Sequence, residues 1–131
     1  MVKTDWRVRL SEWLKSQQRR EVKAGSHDNF TFTAGCIGAV TGEDPARGLR
    51  GKYKSEAGAA KVFERMGYAD HVEYLVQGRR PVPRASARAG YLAVFWPERM
   101  VGIVSSGQIL MLADQIQYVP MDRASEFYEV A

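Results

Sequence analysis

The residues best placed to do chemistry stand at the start of the most apolar segment, where His27-Asp28-Asn29 precedes the run 30–40. Asp28 is a favourable N-cap and Gly42 a favourable stop, so we predict a helix between them that is buried on nearly all sides. A helix N-terminus stabilises a thiolate nucleophile through its free N–H groups and its dipole. The residue there is Asn29, whose neutral amide is a poor nucleophile. The sequence predicts a catalytic scaffold without its reactive group.

The single cysteine, Cys36, is the alternative nucleophile. It follows Asn29 by about two helical turns, which places it roughly 10 Å further along the axis. In mid-helix it has no free N–H groups to lower its pKa, and its neighbours are apolar. We therefore predict an inert thiol in the core. A single cysteine also excludes an internal disulfide bond and is consistent with a reducing cytoplasm.

The two histidines, His27 and His71, are candidate bases or metal ligands. Together with one cysteine they have no ligand-like spacing, so we expect neither a metal nor a cofactor. We expect His27 to assist the helix cap or to face solvent, and His71 to be a surface residue on the polar side of a short helix. The pair Asp28-Asn29 has two interpretations. It is either a cap without a further role, or part of a groove that binds glycan or peptide without cleaving it.

Helices are predicted throughout the first part of the chain. Residues 4–19 have apolar side chains at one-face spacing, with Thr4 as the cap. A glycine-rich loop over 43–54 leads to a third helix that starts at Ser55-Glu56 and ends at Gly67. A short fourth helix is expected over 69–76.

The pattern changes to strands after a connection over 78–90 that contains two prolines. Strands are predicted over 91–96, 100–104, 109–112 and 116–120, with 127–130 as a last edge strand. Helices followed by an antiparallel meander define an α+β fold with a sheet of about five strands. We expect one domain over 1–131, with a helical half of about 1–77 and a strand-rich half of about 90–131. Periodicity places Trp6, Trp13 and Trp96 in its core.

The formal net charge of +4 permits contact with nucleic acid or an acidic partner without requiring either. The basic residues form two groups, Arg19, Arg20 and Lys23 in one, and Arg79, Arg80, Arg84 and Arg88 in the other. Neither group has a recognition motif, so we expect solvated loops or a contact with a neighbouring protein rather than nucleic-acid binding. No apolar stretch approaches the roughly 20 residues of a membrane span, and residues 1–7 have no secretory h-region.

Three motifs resemble a known family. They are Thr41-Gly42-Glu43-Asp44-Pro45 after the buried helix, Arg50-Gly51-Lys52-Tyr53, and Met100-Val101-Gly102-Ile103-Val104 in a strand. In this order, and with a tryptophan-containing first helix, the chain resembles a phage- and prophage-associated branch of the NlpC-type, papain-like cell-wall cysteine peptidases. The resemblance implies a papain-like fold over nearly the whole chain.

The chain departs from this family where catalysis would take place. In active members an Asp-Cys pair opens the buried helix, and here Asp28-Asn29 stands there. The active histidine position holds Met100, and the position of the third polar residue falls near Leu112. Gly90-Tyr91 replaces the usual Gly-Asp before the first strand. Nucleophile, base and orienting residue are therefore all replaced, so the resemblance implies a pseudoenzyme with no catalytic residues.

The resemblance implies a structural protein of a phage or phage-derived tail, near the tail tip or baseplate. Such a protein would be assembled in the host cytoplasm and carried in the virion, with other tail or baseplate proteins as partners. Loops 43–54 and 78–90 are the expected contact surfaces. The alternatives are a peptidoglycan peptidase or amidase that uses Cys36, and a domain that binds peptidoglycan through a relict groove of His27, Asp28, Asn29 and Met100.

Overall fold

The computed structural model describes residues 2–131. Over these residues the chain forms four α-helices followed by a six-stranded sheet. The helices are α1 (Trp6–Gln17), α2 (Asn29–Thr41), α3 (Glu56–Arg65) and α4 (His71–Val76). The strands are β1 (Pro81–Val82), β2 (Leu92–Phe95), β3 (Met100–Ser105), β4 (Gln108–Leu112), β5 (Ile116–Pro120) and β6 (Glu126–Tyr128). The predicted α+β class is confirmed.

The sheet is antiparallel throughout, in the order β1-β6-β2-β3-β4-β5. The prediction that the last strand lies at an edge is wrong, because β6 pairs with both β1 and β2. Phe127 pairs with Val82 on one side and with Ala93 on the other, and it is buried. The extra edge strand, β1, comes from the proline-containing connection, for which no strand was predicted.

Helix α2 lies at the centre of the fold, as predicted. Its residues from Phe30 to Ile37 are all buried, and the helix packs against α1 on one side and β3 on the other. The close approach to α1 requires Gly35, because a Cβ atom there would lie 2.0 Å from the Trp13 ring. Gly42 ends the helix in the left-handed region at φ 85°, which favours glycine.

The core has two parts, one between the helices and the sheet and one on the opposite face of the sheet. Trp6 and Trp13 pack against the first part and are partly buried. The prediction that Trp96 is in the core is wrong, since it is 36% exposed. It follows the last residue of β2 and lies in the turn to β3, where no strand covers it.

Arg79 differs from the other arginines of the proline-containing connection. Its Nε donates to the carbonyl of Leu75 at 2.6 Å and its Nη1 to that of Val130 at 2.9 Å. The expectation of a solvated side chain is therefore wrong for Arg79, although Arg80, Arg84 and Arg88 are exposed. Among the described residues, no helix has the length and apolarity to cross a membrane.

Candidate functional site

The carboxylate of Asp28 caps α2, as predicted. Its Oδ1 accepts from the backbone N–H of Thr31 at 2.8 Å, and Thr31 Oγ1 accepts in return from the Asp28 N–H at 3.0 Å. Its Oδ2 accepts from the N–H of Gly25 at 2.9 Å and from Tyr53 Oη at 2.6 Å. Burial alone raises the pKa of Asp28, but these hydrogen bonds outweigh it and the pKa lies below its ordinary value. Asp28 is a fully hydrogen-bonded anion.

The side chain of Asn29 joins the first turn of α2 to two strands. Its Nδ2 donates to the carbonyls of Val101 at 2.9 Å and Leu112 at 2.8 Å, and its Oδ1 accepts from the Val101 N–H at 2.8 Å. These backbone partners fix which end of the amide is nitrogen and which is oxygen. We call this arrangement the Asn29 clamp.

The imidazole of His71 completes the clamp. Its Nε2 lies 3.0 Å from Asn29 Oδ1. Because this oxygen only accepts, Nε2 carries the proton and donates it, and Nδ1 of the neutral ring is an acceptor. Burial lowers the pKa of His71. The negative charges of Asp70 and Asp28 oppose this shift, whereas the positive charge of Arg99 adds to it. The lowered pKa favours the neutral ring near pH 7.

The prediction that His71 is a surface residue is wrong. Asp70 caps α4 by accepting from the Glu73 N–H at 3.0 Å, so His71 is the first helical residue. The ring is partly buried against Phe30 and Phe63, with centroids 6.2 and 6.4 Å away. A helix of 6 residues is too short for periodicity to assign its faces, so periodicity could not place His71 at the cleft.

The second ring nitrogen of His71, Nδ1, has no described hydrogen-bond partner. Within residues 2–131, no buried side-chain nitrogen or oxygen lacks a hydrogen-bond partner. The described hydrogen bonds of His71 use Nε2 alone. Nδ1 is therefore not fully buried, and His71 lines an open cleft.

This cleft has a volume of about 500 Å³ and lies between the starts of α2 and α4, helix α3, and the turn from β2 to β3. Its wall is largely apolar, with Phe30, Phe63 and Met100 beside small alanines. Glu98 also lines the cleft, as does Arg99, which forms an ion pair with Asp70.

Three of the four predicted groove residues, Asp28, Asn29 and Met100, line this cleft. Leu112 is fully buried and contributes its carbonyl to the Asn29 clamp.

His27 does not line the cleft. It is 1% exposed, and its Nδ1 lies 3.0 Å from Gln17 Oε1 at the end of α1. The expectation that it assists the cap or faces solvent is wrong, because its ring is buried and bonds to the end of α1. Burial, and secondly the charge of Arg20, lower its pKa.

Cys36 is fully buried in the core, as predicted, and burial raises the pKa of its thiol. None of the described residues that line the cleft is a cysteine, serine or threonine. The described part of the chain also has no group of three or more side chains able to hold a metal ion. Among the described residues, the cleft therefore offers an imidazole but no aliphatic hydroxyl or thiol, and its phenol, Tyr53, donates to Asp28.

The fold and site define an α+β domain with an open cleft at the N-terminus of a buried helix. The family model described as "Domain of unknown function (DUF6950)" matches residues 1–130, and the chain belongs to this family. No curated protein sequence matches the chain.

Proposed function

We propose that this chain is a non-catalytic structural domain of a phage or phage-derived tail, built on an inactivated papain-like, NlpC-type fold. The observation that carries the loss of catalysis is the Asn29 clamp. Both amide atoms of Asn29 are held by backbone groups of β3 and β4 and by His71. At the place where a peptidase of this type needs a nucleophile, the Asn29 side chain links α2 to β3 and β4 by hydrogen bonds.

The arrangement around the Asn29 clamp supports the resemblance on which this proposal rests. Asn29 bonds to the backbone of Val101, which follows Met100, and to that of Leu112. These are the neighbourhoods that the resemblance assigns to nucleophile, base and orienting residue. The three substitutions thus fall around one point of the fold, and a thioether, an amide and an isobutyl group do not perform acyl transfer together.

The tail assignment rests on the sequence resemblance and is tested in particles. Virions induced from a lysogen that encodes the chain are purified, and their proteins are identified by mass spectrometry. We expect the chain in the particle fraction at a constant ratio to other tail proteins. Its presence only in the soluble lysate would overturn the tail assignment.

The loss of catalysis is tested on purified peptidoglycan. The folded chain is incubated with this substrate, and released fragments and new amino termini are measured against an Asn29→Ala variant. We expect no release above buffer from either protein. Release by the natural chain that the variant lacks would show a working enzyme at this cleft.

The open cleft favours a second function, binding of peptidoglycan without cleavage. A groove that a purely structural domain does not need is retained beside Asn29 and Met100. Co-sedimentation with insoluble peptidoglycan separates the two roles. Retention that is lost on filling the cleft with Ala60→Trp would support binding, whereas recovery in the supernatant would leave the structural role.

A further inference from the structure

The charges around the cleft are unbalanced. Asp28, Glu56, Asp70 and Glu98 line it, whereas Arg99 is the one basic side chain in its wall among the described residues. The formal net charge of the whole chain is +4, so the cleft has the opposite sign to the molecule. A cleft lined by one sign of charge concentrates ligands of the other sign.

The charge left for a ligand comes from two glutamates. Asp28 is saturated by its hydrogen bonds, and Asp70 pairs with Arg99. Glu56 and Glu98 are exposed, and neither belongs to an ion pair in the described part of the chain. Both carboxylates are free to accept hydrogen bonds from a cation.

The imidazole of His71 adds a third acceptor from a different part of the wall. Its Nε2 is held by Asn29, which orients the ring and leaves Nδ1 without a described partner, and His71 lines the cleft. A partner at this nitrogen must donate a hydrogen bond. The two glutamates and His71 are thus hydrogen-bond acceptors that suit a ligand with N–H donors. A carboxylate-rich ligand would be repelled by the negative charge of the cleft.

The rest of the wall suits an aliphatic body. Ala59, Ala60 and Ala69 line the cleft beside Phe30 and Phe63, whose rings contact each other at a centroid distance of 5.0 Å. The volume of about 500 Å³ lies in the range of ligand sites and exceeds the space needed by one amine-bearing side chain. Space remains for small residues on either side of that group.

From these observations we propose that the cleft binds a short cationic peptide, with a primary ammonium group between Glu56, Glu98 and the free nitrogen of His71 and with small apolar residues against the alanine wall. The inference rests on the proposed function in one respect, namely that the peptide is held and not cleaved. The negative charge of the cleft is the feature that selects a cationic peptide.

The first experiment compares capped peptides by isothermal titration calorimetry. The probes are acetyl-Ala-Lys-Ala-amide, the same peptide with norleucine or glutamate in place of lysine, and 1,5-diaminopentane. We expect the lysine peptide to bind about tenfold more tightly than the norleucine peptide, and the glutamate peptide to bind most weakly. Equal binding of the lysine and norleucine peptides, or no binding of any peptide at millimolar concentration, overturns the proposal. Equal binding of the diamine overturns its peptide part.

The second experiment removes the charge without removing the fold. Glu56→Gln combined with Glu98→Gln is compared with Glu12→Gln combined with Glu64→Gln, which changes two exposed glutamates outside the cleft. Both pairs change the net charge equally. We expect about a fivefold loss of affinity for the lysine peptide in the cleft pair, with a weaker salt dependence, and no loss in the control pair. Equal losses in both pairs would assign the effect to net charge and overturn the site.

The state of the peptide separates this inference from the proposed function. After titration the peptide is recovered and its mass is measured. An intact lysine peptide that binds selectively supports both proposals. A cleaved peptide overturns the non-catalytic role and leaves the charge selectivity standing, whereas an intact peptide that does not bind overturns the cationic site alone.

Discussion

The first turn of α2 and the middle of the same helix place two polar side chains in different surroundings. Asn29 is partly exposed at the cleft, and its amide holds two strands and His71. Cys36, about two turns further on, is fully buried among apolar residues. The difference follows from the free N–H groups of a helix end, which need polar partners, while the middle of the helix satisfies its own backbone.

This comparison shows where the chemistry of the helix can change without a change of fold. The first turn has a cap, a cleft and a neighbouring imidazole, so a change of one side chain there alters the chemistry while the architecture remains. In the middle of the helix, the Cys36 thiol contributes only packing volume to the core. The predictions below test this division.

The largest expected difference is in thiol reactivity at the two positions. We expect Asn29→Cys, made in a Cys36→Ala background, to react with a disulfide reagent on the order of a hundredfold faster than Cys36 of the natural chain. The helix N-terminus, the cleft and His71 all favour a thiolate at position 29. Stopped-flow absorbance near pH 7.5 measures both rates, and rates in denaturant provide the control. Similar slow rates in the two folded proteins would contradict the division.

The next prediction concerns the Asn29 clamp itself. Asn29→Ala leaves the N–H and carbonyl of Val101 and the carbonyl of Leu112 without these partners, which we expect to cost about 3 kcal/mol of unfolding free energy. Cys36→Ala removes one sulfur atom from the core and should cost about 1 kcal/mol. Urea unfolding followed by circular dichroism gives both values. A smaller cost at position 29 than at 36 would show that the clamp contributes little to stability.

The two histidines should differ in the same sense. His27 is 1% exposed and bonds to Gln17, so His27→Ala should cost about 2 kcal/mol. His71→Ala should cost about 1 kcal/mol, because the ring is partly exposed and Asn29 Oδ1 keeps the Val101 N–H. The free energies come from the same urea titrations. A larger loss of unfolding free energy in His71→Ala than in His27→Ala would mean that His71 contributes more to stability than this division assigns to it.

Local features of this fold were predictable from the sequence. The cap at Asp28, the stop at Gly42 and the burial of the helix between them depend on residues close in the chain, and the structure confirms them. The start of α3 at Ser55 follows the same logic, since its hydroxyl accepts from the Gly58 N–H at 3.0 Å. Such contacts close within one turn, so residue type and spacing suffice to find them.

The features that the sequence did not reveal depend on contacts distant along the chain. The bond between His71 and Asn29 joins residues 42 positions apart, and it forms because α4 docks beside α2. The insertion of β6 beside β2 depends on strand order, which alternation of apolar residues does not determine. The pairing of His27 with Gln17 likewise requires the turn that brings the end of α1 back to α2. The charge of the cleft could not be seen before these elements came together.

The smallest expected effect is a dependence of stability on pH. Burial lowers the pKa of both His27 and His71 below the ordinary value of 6.5, so the unfolded chain binds protons more readily than the folded one. Stability should therefore fall as pH decreases through 6.5 toward the folded pKa values. The lowered pKa values of Asp28 and Asp70 act in a separate window, below 3.8.

We expect Tm to decrease between about pH 7.5 and about pH 5.5, by less than either histidine-to-alanine change lowers it at the higher pH. His71→Gln keeps an N–H donor for Asn29 but does not titrate, so it should reduce the slope of Tm against pH. His27→Gln, which removes the other titrating ring, should reduce it as well. Differential scanning calorimetry of the natural chain and both variants measures the slopes. If Tm stays flat or rises on acidification, the two rings are not held neutral by burial, and His71 would present a donor rather than an acceptor to the cleft.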